Sequence, residues 1–82
     1  MPDQDRFPIV GIGASAGGIQ AMEGFFRQLP PDPGVAFVIV THLSPDRVSM
    51  LHEVIARFTD LTVLVAEDGA RVEPDHVYVM PP

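Results

Sequence analysis

An α/β fold built on a parallel sheet is predicted by three observations. A β-branched run stops at a glycine-rich turn (Ile9 to Gly18), an amphipathic pattern follows at once (Ile19 to Leu29), and a continuous apolar run lies behind it (Val35 to Val40). Strand, helix and strand in that order make a βαβ unit, whose right-handed crossover lays the two strands parallel.

Residues 1–7 read as a polar leader ending at Pro8, which lacks a donor for a sheet ladder and suits the first position of a strand. The domain proper then runs over residues 8–82, with strand one at about Ile9 to Gly13. Ile19, Met22, Phe25, Phe26 and Leu29 recur at helical spacing, with Gln20, Glu23, Arg27 and Gln28 on the other side. Pro30-Pro31-Asp32-Pro33-Gly34 ends that helix, because proline lacks the N–H and disfavours helical geometry in the residue before it. Val35 to Val40 shows no alternation, the pattern of a strand buried on both faces. A polar break follows at Thr41 to Asp46, with Ser44, Asp46 and Ser49 as candidate caps for a second helix carrying Met50, Leu51, Val54, Ile55 and Phe58. Thr62 to Ala66 reads as a third strand, Glu67-Asp68-Gly69 as a turn, Arg71 to Asp75 as a polar connection, and His76 to Met80 as a fourth strand.

Composition narrows the classes of function. The chain has 82 residues, 46% of them hydrophobic, enough for a small domain or part of a larger one. Its net charge is −6 and it contains no lysine, which argues against nucleic acid or an anionic membrane surface as partner. Cysteine is absent, the leader is acidic where a signal peptide is basic, and no apolar run is long enough to span a bilayer, so a cytoplasmic protein without membrane insertion is expected. No spacing of His, Cys and carboxylates suggests a metal, and neither metal nor cofactor is expected.

The turn after strand one satisfies two motifs. Gly11-x-Gly13-x-x-Ala16 is a form of the dinucleotide fingerprint, and Gly13-x-Ser15-x-Gly17 is the nucleophile-elbow pattern. A plainer alternative is that small residues only let a helix pack close to its strand. His42 follows strand two as Ser15 follows strand one, and a βαβ crossover sends both to the carboxyl edge of the sheet. Neighbouring strands lie about 4.8 Å apart, close enough for a serine hydroxyl and an imidazole to meet. Serine needs such a base, and a histidine of ordinary pKa near ~6.5 accepts its proton and later returns it to a leaving group. A dinucleotide site also needs an acid at the end of strand two, where this chain has Thr41 and His42. An α/β-hydrolase places its histidine last in chain order, whereas here histidine follows serine closely.

Ile9-Val10-Gly11-Ile12-Gly13-Ala14-Ser15-Ala16-Gly17-Gly18, Val38-Ile39-Val40-Thr41-His42-Leu43-Ser44-Pro45, Ala66-Glu67-Asp68-Gly69 and Val77-Tyr78-Val79-Met80-Pro81-Pro82 together resemble the opening of the CheB-type chemotaxis protein-glutamate methylesterases. The resemblance implies a three-layer, doubly wound, Rossmann-like parallel sheet, of which these residues form the first half. It implies hydrolysis of glutamyl methyl esters on the cytoplasmic region of methyl-accepting chemotaxis receptors, and in some members deamidation of receptor glutamines. Ser15 takes the place of the nucleophile and His42 that of the general base and acid. The N–H groups of Ala16 and Gly17 are oxyanion candidates. Ala16 itself replaces the hydroxyl residue often found after the family's serine.

One part of the pattern is missing. The family's third triad member is an aspartate from a later segment, and neither Asp46 nor Asp68 falls in the motif that supplies it. This chain alone is therefore expected to be inactive or nearly so. Two crossovers stepping the same way would also put both helices on one face and leave apolar strands bare on the other. A start almost directly at strand one resembles hybrid members, in which a methylesterase domain precedes methyltransferase and sensory domains; stand-alone members carry a phosphorylated receiver domain first. A non-catalytic interaction module is the alternative from a different class. His52 and His76 read as solvated, and Glu67, Asp68, Glu73 and Asp75 as an acidic surface.

Overall fold

The computed structural model describes residues 6–14, 18–41 and 45–81. Its elements are β1 (Ile9–Ala14), α1 (Ile19–Arg27), β2 (Ala36–Thr41), α2 (Pro45–Ala56), β3 (Thr62–Val65) and β4 (His76–Val79). The order is the predicted one, with shifts at the ends. α1 stops at Arg27, before Leu29, whose following proline disfavours helical geometry. α2 begins at Pro45, a residue preset for the first helical position. Asp46 and Ser49 consequently lie inside α2 and are not its caps; Ser44 lies outside the described residues.

The four strands form one parallel sheet in the order β1-β2-β4-β3. The crossover through α2 thus skips a place, and β4 fills it. Residues 66–75, which join β3 to β4, contain no helix. They are held instead by two aromatic residues on β4. The Tyr78 hydroxyl accepts from the Glu73 N–H at 2.9 Å and donates to the Arg71 carbonyl at 3.2 Å. The His76 ring stacks on Tyr78 at 5.9 Å and places Nδ1 2.8 Å from the Pro74 carbonyl, so His76 is packed where solvation was expected. Asp75, expected on an acidic surface, is a connector. It adopts a left-handed φ of 63°, tolerated by aspartate, accepts from the Gly34 N–H at 2.7 Å and donates its own N–H to the Val35 carbonyl at 2.9 Å.

Both helices pack on one face. Met22 and Phe26 from α1 and Leu51 and Ile55 from α2 share a single core with Phe37, Ile39, Val77 and Val79 of the central strands. The Phe26 and Phe37 rings meet edge to face at 5.6 Å. Met50, assigned to the apolar stripe of the second helix, is instead 63% exposed. Side chains alternate along a strand, so Ile9, Val40 and Leu64 point to the opposite face. They are 58%, 51% and 43% exposed. The second face of the run Val35 to Val40 is covered only at its start, where Ala36 is fully buried and Val38 half-buried, while Val40 stands exposed; among the described residues no helix covers this face. A side chain built at Gly11 or Gly13 would also meet nothing within 4 Å. Close helix packing within the described residues does not account for these two glycines.

Candidate active site

The carboxyl rim of β1 and β2 is built from paired strand ends. β1 and β2 are parallel neighbours in register from Ile9↔Ala36 to Ala14↔Thr41. Ala14 and Thr41 are thus partners at one rim, with no strand between them, and the chain continues directly into Ser15 from the first and His42 from the second. Ser15, His42 and the oxyanion candidates Ala16 and Gly17 lie outside the described residues. α1 starts close behind. Its N-cap position is Gly18, which makes no side-chain capping bond, and its first turn carries no acid. The positive end of the helix dipole therefore lies toward that rim, with no acid in the helix's own first turn to offset it.

Sequence reasoning missed one polar group here. Thr41 is the last residue of β2, not the start of a polar break. It shares the helix-covered face with Phe37 and Ile39, is only 6% exposed, and among the described residues its Oγ1 has no hydrogen-bond partner. A buried hydroxyl in that state costs about 1–3 kcal/mol. The signal available in sequence was the adjacency of a hydroxyl residue to His42 at the end of an apolar run.

Other polar residues stand apart from this rim. His52, expected to be solvated, has a buried and unpartnered Nδ1. It lines a depression of about 490 Å³ with Val65, Glu67, Ala70 and Tyr78. That depression wraps around β3, the edge strand, and β4 separates β3 from the β1–β2 pair. Asp68 is exposed in the turn after β3, on the far side of β4, so the topology does not bring it to the end of β2. Asp46 lies in the first turn of α2, but its side chain is not described. Among the described residues no group of three or more His, Cys, Asp or Glu is placed to hold a metal, and no helix is long and apolar enough to cross a membrane.

The chain matches the family model for CheB methylesterase over residues 10–82. It is 36% identical over 81 residues to a protein-glutamate methylesterase/protein-glutamine glutaminase of Pectobacterium atrosepticum, covering 99% of this chain and 23% of the relative. It is 38% identical over 74 residues to the protein of the same name from Thiobacillus denitrificans, covering 89% of this chain and 20% of the relative. Among solved structures, the CheB methylesterase catalytic domain of Thermotoga maritima superposes with a TM-score of 0.85 at 35% identity, over 92% of this chain and 40% of that one. The chain therefore spans about a quarter of these curated relatives' length, 23% in the first case. The Rossmann-like parallel α/β architecture is common to both structures. With the family match extending over both helices and all but the first residue of the sheet, this chain belongs to the CheB methylesterase family.

Proposed function

We propose that this chain supplies the nucleophile and the general base of a protein-glutamate methylesterase acting in chemotaxis signalling. The observation that carries the reading is the Ala14↔Thr41 pairing, which sets the residues preceding Ser15 and His42 side by side at one rim. In the proposed reaction the Ser15 hydroxyl oxygen bonds to the ester carbonyl carbon while His42 takes its proton. The carbon–methoxy bond then breaks, His42 returns the proton, and methanol leaves. Water, deprotonated by His42, attacks the glutamyl-serine ester and regenerates Ser15 with a free glutamate. N–H groups of Ala16 and Gly17, ahead of α1, are assigned to the oxyanion. The chemistry needs no cofactor. The proposed substrate is a methylated glutamate on the cytoplasmic region of a methyl-accepting receptor. Deamidation of glutamine at the same site follows the same acyl transfer, with ammonia as leaving group, and relatives carry both activities in their names.

The triad aspartate is assigned to a later part of a larger domain, and residues 8–82 to its opening. Methyltransferase and sensory domains on the same full-length chain are the proposed neighbours. The exposed part of the second face supports this division, because it offers Val40 and Ile9 to a further layer. A fluorophosphonate probe tests the reading: it labels Ser15 of the full-length product, and Ser15→Ala removes the label. Absence of labelling favours the non-catalytic interaction module. Gly13→Ala tests the division of the domain by a change of sign. In the isolated chain the substitution is expected to stabilise by about 0.5–1 kcal/mol, as alanine for glycine does in an uncrowded strand. In the full-length product, where a covering layer approaches the same face, it is expected to destabilise by about 1–3 kcal/mol through overpacking. Chemical denaturation of the four proteins reads both signs.

A further inference from the structure

The outer edge of β3 carries a groove that the reaction does not use. β3 is the last strand of the sheet, and the depression of about 490 Å³ beside it is lined by Val63 to Val65 of the strand itself, by Ala66 and Tyr78, and by Glu67 at the carboxyl end. The Ala66 N–H donates inward to the Val79 carbonyl at 2.8 Å. Backbone groups alternate sides along a strand, so the N–H and C=O of Val63 and Val65 point outward, a template for a further strand. Many edges are blunted by an internal charge, a proline or a bulge. Thr62-Val63-Leu64-Val65 has neither charge nor proline, and its register with β4 is unbroken from Thr62↔His76 to Val65↔Val79. Charge is confined to the flanks: residues 60–68 hold Asp60, Glu67 and Asp68, all exposed, and no basic residue. We propose that this edge docks an extended segment of a protein partner, with alternating apolar side chains in the groove and lysine or arginine at its ends beside Asp60 and the Glu67–Asp68 pair. Backbone bonds to Val63 and Val65 supply the pairing, and the flanking charges choose the partner. A second copy of this chain is disfavoured, since its own β3 brings the same acids. A later part of the chain is directed elsewhere. The crossovers through α1 and α2 step the same way and put both helices on one face. A right-handed connection that covers the other face steps back, so the next strand falls beside β1 and β3 stays outermost.

The full-length product and a labelled octapeptide, Lys-Thr-Val-Thr-Val-Thr-Val-Lys blocked at both termini, test this by fluorescence anisotropy and by amide hydrogen exchange resolved at Val63 and Val65. The peptide is expected to bind about tenfold more tightly than its counterpart with glutamate at both ends, and to slow exchange of those two amides. The double variant Glu67→Lys/Asp68→Lys, at two exposed positions, is expected to reverse part of that preference. Equal affinity for the two peptides, an unchanged preference in the double variant, or binding that leaves exchange at Val63 and Val65 unaltered overturns the inference. Slow exchange of these amides before peptide is added overturns it as well: if independent of protein concentration, a later part of the chain covers the edge, and if it grows with concentration, a second copy does.

Discussion

Ser15→Ala and His42→Ala in the full-length product are each expected to lower kcat for a glutamyl methyl ester by about 10⁶-fold, and the double variant by no more than either alone. The reason lies in how the two groups divide one step. Serine without a base holds its proton at neutral pH, and a base without serine has no covalent intermediate to form, so removing the second partner takes away nothing further. Methanol released from a methylated peptide measures all three rates. Losses that multiply in the double variant would separate the two residues mechanistically and assign them to different steps. The paired ends of β1 and β2 make a shared step the expected outcome, because the residues that precede Ser15 and His42, Ala14 and Thr41, are register partners.

The second large effect concerns the isolated chain. Residues 1–82 alone are expected to turn over the same ester about 10⁴-fold more slowly than the full-length product, the loss associated with removing a triad aspartate. Histidine without its carboxylate partner lacks both a fixed tautomer and support for the positive charge it acquires. Neither acid near the sheet's carboxyl side is an evident substitute: Asp68 lies beyond β4, and Asp46 belongs to α2. Comparable kcat values for the isolated and full-length proteins would show that no later carboxylate is needed. Dye binding to the isolated chain offers a parallel measurement, since Ile9, Val40 and Leu64 leave apolar surface on the second face.

Local pattern made most of the secondary structure legible. Glycine after a β-branched run, helical spacing from Ile19, the prolines after Leu29 and the apolar run behind them reported β1, α1 and β2 with small errors at the ends. The position of β4 between β2 and β3 was not legible, because strand order is decided by long-range packing and leaves no local mark. Val40 misled for a different reason. Its hydrophobicity suits a strand covered on both faces along its whole length, while the described residues cover the second face at Ala36 and leave it open at Val40. His76 and Asp75 looked like solvated surface because a single charge in a polar connection carries no sign of the ring or backbone group it meets. At the rim, the residue types of Ser15 and His42 were legible from motif and spacing, whereas the burial of Thr41 needed coordinates to be seen.

The clasp between Gly34 and Asp75 sits at the opposite end of the sheet from the Ala14–Thr41 pair. With Asp75 also bonded to Val35, it buckles the entry to β2 against the entry to β4, so the register of these central neighbours is pinned from below. Alignment set at that distance does not rely on the polar groups overhead, which leaves the upper edge free to be furnished for chemistry.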